Sequence, residues 1–196
     1  MADADTAVFV WLNGRTGALA ALDGAMEVLG SDYGVPVVMG LVILGLWFAG
    51  HGADDRARRQ VGVFVVLTAI GLASWIVFAG NELYFRPRPF DAALDHDVTV
   101  LLYRPTDSSF PSNSTAVAFA AAGGVWLISR KAGLALLALA LAYGLARVYG
   151  GIHYPLDILG GAAVGLLAVV MARAFWGLLG PVPAIVIRAA RIFCIA

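Results

Sequence analysis

The sequence predicts an all-α, polytopic membrane helical bundle: five full spans preceded by an N-terminal amphipathic or sixth helix. Three observations carry this. Hydrophobic residues fill 61% of the 196 positions and charged residues only 13%, about half the charged share of a soluble domain. Mean hydropathy is +0.85. The apolar residues fall into five runs that reach or approach the roughly 20 residues a spanning helix requires. These runs are closely spaced, so residues 1–196 form a single membrane domain without a soluble linker or low-complexity tract.

Residues 6–30 come first and differ from the rest. Arg15, Asp23 and Glu27 interrupt the apolar residues. Ala18, Leu19, Leu22, Met26 and Leu29 recur at helical spacing, while Asp23 and Glu27 share another face. This pattern predicts an amphipathic helix lying in the interface, with a tilted first span as its competitor. The spans follow at 34–51, 60–82, 113–129, 132–150 and 156–178, the third being short with a polar start. The tail, 180–196, carries Pro181, Pro183, Arg188 and Arg191 among apolar residues and is expected at the interface.

Basic residues set the orientation. Arg56, Arg58, Arg59, Arg130, Lys131, Arg173, Arg188 and Arg191 all fall on one face, which is predicted to be cytoplasmic. The opposite face carries the long 84–112 segment. The chain leaves one span near Leu83, re-enters near Asn113, crosses twice and returns near Arg147. Three polar clusters therefore meet on the exterior or periplasmic side of a cell membrane.

Net charge is zero, which leaves no electrostatic footprint for nucleic acid. A single cysteine, Cys194, rules out an internal disulfide or a cysteine-based metal cluster. The N-terminus lacks the basic segment of a cleaved signal peptide. No metal or other cofactor is expected.

The first cluster ends a span with Arg86-Pro87-Arg88-Pro89. The prolines stop the helix and fix the direction of the chain. Arginine is a planar, permanently charged donor suited to phosphate oxygens. Arginines snorkelling to headgroups beside aromatic belt residues would leave the same pattern. The second cluster, Phe110-Pro111-Ser112-Asn113-Ser114, follows Ser108 and Ser109 and opens a helix. Its unpaired N–H groups form an anion site, or merely an ordinary cap. The third runs from Arg147 through Gly150-Gly151 to His153 and Asp157. At i and i+4 on a helix, Asp157 would neighbour His153 and could orient its imidazole. A structural His–Asp pair is the alternative, yet ionisable residues in a membrane point first to function.

Together these residues resemble the type 2 phosphatidic acid phosphatase family, lipid phosphatases that share a helical core with vanadium haloperoxidases. The family pattern is Lys-x6-Arg-Pro, Pro-Ser-Gly-His and Ser-Arg-x5-His-x3-Asp. It is matched at Arg88-Pro89, Pro111-Ser112, and Arg147, His153 and Asp157, across residues 60–178. The stretches 84–90 and 109–112 look most like the bacterial branch that dephosphorylates undecaprenyl pyrophosphate. The resemblance implies that His153 attacks phosphorus to form a phosphohistidine, that Asp157 orients it, and that Arg88, Arg147 and Ser112 hold the phosphate. Arg86, Asn81 and Asn113 are further phosphate-binding candidates.

The chain departs from the pattern at four places. Asn81 stands for the lysine, Asn113 for the glycine and Ala146 for the serine. Ser114 occupies the place of the family's second histidine. That histidine would protonate the leaving group, a task for which serine is a poor general acid. Three accounts of Ser114 follow: a natural change with another proton source, an engineered change that disables the enzyme, or a lipid-phosphate binder or transporter without catalysis.

Leaving-group chemistry selects a substrate. A lipid monophosphate expels an alkoxide, whose conjugate acid is about as weak as water, pKa ~16. A pyrophosphate expels a phosphate monoester whose second pKa is about 6. The sequence therefore predicts a polyprenyl pyrophosphate phosphatase, with phosphatidate or phosphatidylglycerol phosphate as alternative substrates. Substrate lipid and membrane lipids are the expected partners; oligomeric state is left open, since Gly161 and Gly165 suit packing within one chain as well as between two.

Overall fold

The computed structural model describes residues 2–92, 94, 97–179 and 187. Among them the chain forms seven helices: α1 (Ala2–Asn13), α2 (Ala20–Gly30), α3 (Gly34–Phe48), α4 (Ala53–Leu83), α5 (Asn113–Ile128), α6 (Arg130–Tyr149) and α7 (Pro155–Leu178). Asp95, His96, Cys194 and the expected interfacial tail, apart from Ile187, lie outside the described residues.

Three helices, α4, α6 and α7, are long and apolar enough to cross a bilayer. The pair α2 and α3 passes the same test together, bent by 48° at the short break between them. Helix α5 has 16 residues and sits at the centre, touching α4, α6 and α7. Its small residues Ala116, Ala120, Ala121 and Ala122 are all buried, which lets neighbouring backbones approach closely as membrane packing favours.

Close approach is sharpest at two seams. A Cβ on Gly165 would lie 2.3 Å from the Ala116 carbonyl oxygen, and one on Gly161 2.5 Å from that of Ser112. These two glycines therefore seat α7 against α5 within one chain. A Cβ on Gly133 would lie 2.3 Å from Trp126 Cα, because α5 and α6 are joined by Ser129 alone. Ser129 closes α5 and caps α6, its hydroxyl accepting from Ala132 N.

Two boundaries differ from the expectation. Residues 6–30 are not one helix: Gly14 to Leu19 break them, and Gly17 takes a φ of 87°. Helix α4 starts at Ala53, so Arg56, Arg58 and Arg59 belong to its first turns. Asp55 holds Arg59 there at 3.0 Å, satisfying the acidic preference of a helix start.

Candidate active site

Four chain passages converge at one end of the bundle. They are the exit of α4, the entry of α5, the exit of α6 and the entry of α7. Ser112 N donates to the Asp157 carbonyl at 3.0 Å and Ser109 N to that of Arg86 at 2.9 Å, stitching the passages together. Helix α1 lies across this end: Asn13 Nδ2 donates to Thr99 O at 2.8 Å and Tyr149 O at 2.9 Å, and its Oδ1 accepts from Thr99 N.

A polar cavity of about 220 Å³ opens here. Arg88, Arg147, His153, Asn113 and Ser114 line it. Ser112 lies against it, with Oγ 3.3 Å from His153 Nε2. Asn81 and Arg86 are not on its wall.

His153 is buried just before α7. After α6 the chain turns through Gly151, whose φ of 83° suits glycine; a Cβ there would also lie 2.5 Å from Thr99 O. His153 Nδ1 is 3.0 Å from the Ser109 carbonyl, which can only accept. The ring proton therefore sits on Nδ1, and Nε2 carries its lone pair toward the cavity. Arg88 Nη1 is 3.3 Å from Nε2. Burial lowers the His153 pKa to about 4; Asp157 opposes the fall, and the charges of Arg88 and Arg147 add to it. The imidazole is neutral at physiological pH, the form a nucleophile requires.

Asp157 differs from the expected helical partner. His153 precedes the cap residue Tyr154, and Asp157 is the third residue of α7, completing a capping box. Its Oδ2 accepts from Tyr154 N at 2.7 Å and Ser109 Oγ at 2.5 Å. The distance to His153 Nδ1 is 3.6 Å, too long for a hydrogen bond. Asp157 thus reaches the imidazole through Ser109, whose hydroxyl it binds and whose carbonyl holds the ring.

Arg86 takes the remaining oxygen of Asp157 at 2.6 Å and Asp5 of α1 at 2.7 Å. Two residues on, Arg88 faces the cavity and is only 4% exposed. Its Nη1 donates to Ile152 O at 2.9 Å, its Nη2 to Asp107 Oδ1 at 2.7 Å, and its Nε to Asp107 O at 3.1 Å. Arg147 donates from Nη1 to Asp32 Oδ1 at 2.8 Å, Gly30 O at 3.0 Å and Tyr143 Oη at 3.2 Å. Its buried Nε has no partner among the described residues, an uncompensated donor of the kind an oxyanion satisfies.

Sequence reasoning missed Asp5, Asp32 and Asp107. Acidic residues in polar stretches carry no local sign of which arginine they will meet. Ser109 was visible as one of the serines before α5, but its carbonyl's role had no side-chain signature.

A second cavity, apolar and about 490 Å³, runs between α3, α4 and α5. Met39, Gly40, Trp47, Leu67 and Val117 line it. Ser114 lies on the walls of both cavities, so the polar and apolar spaces share a border at that residue.

Residues 62–180 match the sequence model of the PAP2 superfamily. Undecaprenyl-diphosphatase BcrC of Bacillus subtilis (strain 168) is 31% identical over 182 residues, covering 92% of this chain and 89% of that protein. Bacitracin transport permease protein BcrC of Bacillus licheniformis is 30% identical over 155 residues, covering 76% and 74% respectively. The crystal structure of Aquifex aeolicus LpxE superposes with a TM-score of 0.64 at 27% identity, covering 86% of this chain and 94% of that one.

Proposed function

We propose that this chain, which belongs to the PAP2 superfamily, is a multi-pass membrane phosphatase that hydrolyses a polyprenyl pyrophosphate of undecaprenyl type to the monophosphate. The observation that carries the reading is His153. A neutral, buried imidazole presents Nε2 between Arg88 Nη1 and Ser112 Oγ, at 3.3 Å from each. The terminal phosphoryl group would lie there, its oxygens held by Arg88, Arg147, Ser112 and the first N–H groups of α5. Asn113 lies beside those N–H groups.

Nε2 attacks the terminal phosphorus as the bond to the bridging oxygen breaks. The lipid leaves as its monophosphate, and Nδ1 keeps its proton on Ser109 O. Asp157 positions the ring through Ser109, with Arg86 compensating its charge. Water then releases inorganic phosphate. A monoester with a second pKa of about 6 departs without a strong acid, which suits a site with Ser114 where the family has histidine. The apolar cavity that borders Ser114 supplies room for a prenyl chain.

Five crossings fit this reading: the α2–α3 pair taken as one, α4, a short α5, α6 and α7. The site then opens to the exterior or periplasm, opposite the basic residues that start α4 and α6.

The test is phosphate release by the purified protein from undecaprenyl pyrophosphate, phosphatidate and phosphatidylglycerol phosphate, with His153→Ala as control. Preference for the pyrophosphate, lost in a folded His153→Ala, is expected. Preference for a monophosphate would overturn the substrate, and wild-type rates in His153→Ala the nucleophile.

A further inference from the structure

The mechanism above uses no carboxylate on the cavity wall, yet two are present, Asp107 and Asp32. Asp107 belongs to the segment just before α5. Its carbonyl binds Arg88 Nε at 3.1 Å and its Oδ1 binds Arg88 Nη2 at 2.7 Å. Arg88 Nη1 in turn lies 3.3 Å from His153 Nε2. Asp107 and His153 therefore occupy guanidinium positions that a phosphoryl group would take. The Asp107 side chain is half exposed, so it can yield Nη2 to a phosphate oxygen while the backbone contact to Nε stays. The displaced carboxylate is then left beside the phosphoryl group. Asp32 is held instead on Arg147, which reaches Gly30 and Tyr143.

We propose that Asp107 is the general base that activates water against the phosphohistidine, a step that rests on the function proposed above. The water oxygen forms a bond to phosphorus while its proton passes to the Asp107 carboxylate. The P–N bond breaks and its electron pair returns to His153 Nε2. Inorganic phosphate leaves, and Asp107 loses the proton to solvent. The step needs a base rather than an acid, and the Asp107 carboxylate stands on the cavity wall with Arg88 and His153. The position otherwise filled by a family histidine, Ser114, offers no such group at neutral pH.

Rapid-quench turnover of a polyprenyl pyrophosphate labelled in its terminal phosphate tests this. In Asp107→Asn the first equivalent of lipid monophosphate should appear at close to the wild-type rate. Steady turnover should then fall at least about 10²-fold, the low end of what a general base supplies, and acid-labile, alkali-stable label should accumulate on the protein. In Asp107→Ala, added formate should restore steady turnover without changing the first equivalent. A role confined to holding Arg88 predicts otherwise: KM rises, the first equivalent slows as much as steady turnover, and formate does nothing. That result, or unchanged steady turnover in Asp107→Asn, overturns the proposal. Turnover by the wild type without trapped label in either protein would remove the phosphohistidine as well, and a wild type without turnover would remove the proposed function with it.

Discussion

Arg86 Nη1 sits 2.6 Å from Asp157 Oδ1, both side chains being largely or wholly buried. The family-like motif leads one to expect Asp157 on the histidine. Here its charge is balanced by an arginine whose other arm holds Asp5 of α1 at 2.7 Å. The other carboxylate oxygen, Oδ2, accepts from Ser109 Oγ and Tyr154 N.

Removing Arg86 leaves two buried carboxylates without a cation. Arg86→Met should lower stability by about 3–5 kcal/mol, the usual loss when one partner of a buried pair is deleted. Adding Asp5→Asn should recover part of it. Thermal unfolding in detergent reads both, and an unchanged midpoint in Arg86→Met would remove the structural role.

Ser114→His should raise hydrolysis, and more for a lipid monophosphate than for a pyrophosphate. Only the alkoxide leaving group strongly needs a proton, and general acid catalysis typically contributes ~10²–10⁴-fold. The measurement is kcat on both substrates. Equal gains, or none, would show that position 114 does not govern leaving-group protonation.

The apolar cavity can be filled without a clash. A Cβ on Gly40 would meet no heavy atom within 4 Å. Gly40→Trp should raise KM for the long-chain substrate about tenfold, the equivalent of roughly two lost methylene contacts at ~0.8 kcal/mol each. A short, water-soluble prenyl pyrophosphate should be unaffected. Equal effects on both would place the chain elsewhere.

Orientation can be read by labelling. Asp97 is exposed in the segment between α4 and α5. In a Cys194→Ser background, Asp97→Cys should react with an impermeant thiol reagent in intact cells. Reaction only after lysis would reverse the topology.

His153 also makes stability depend on pH. Its folded-state pKa is about 4, below the ordinary ~6.5, so between these values the unfolded chain binds the extra proton. Stability should rise with pH across that window and fall as pH drops, by about 2 kcal/mol between pH 6.5 and 5. His153→Gln should lose this slope. An identical slope in the variant would refute it.

Much of the protein was legible in its residues alone. The apolar runs located α3, α5, α6 and α7 within a few residues, and α4 apart from its charged first turns, because each helix is dictated by its own composition and caps. An even number of crossings between Arg88 and His153, α5 and α6, placed them at one end of the bundle. His153, Arg88, Arg147 and Ser112 stood out because such groups are costly in this setting. Tertiary structure alone decided their partners. Arg86 and Arg88 look alike in sequence, yet one meets Asp5, 81 residues away, and Asp157, 71 residues away, while the other meets Asp107 and His153. Ser109 O holds an imidazole 44 residues distant. Helix formation is local, so a sequence window contains its causes; the pairing of buried charges depends on which remote segments meet, and only the packed bundle determines that.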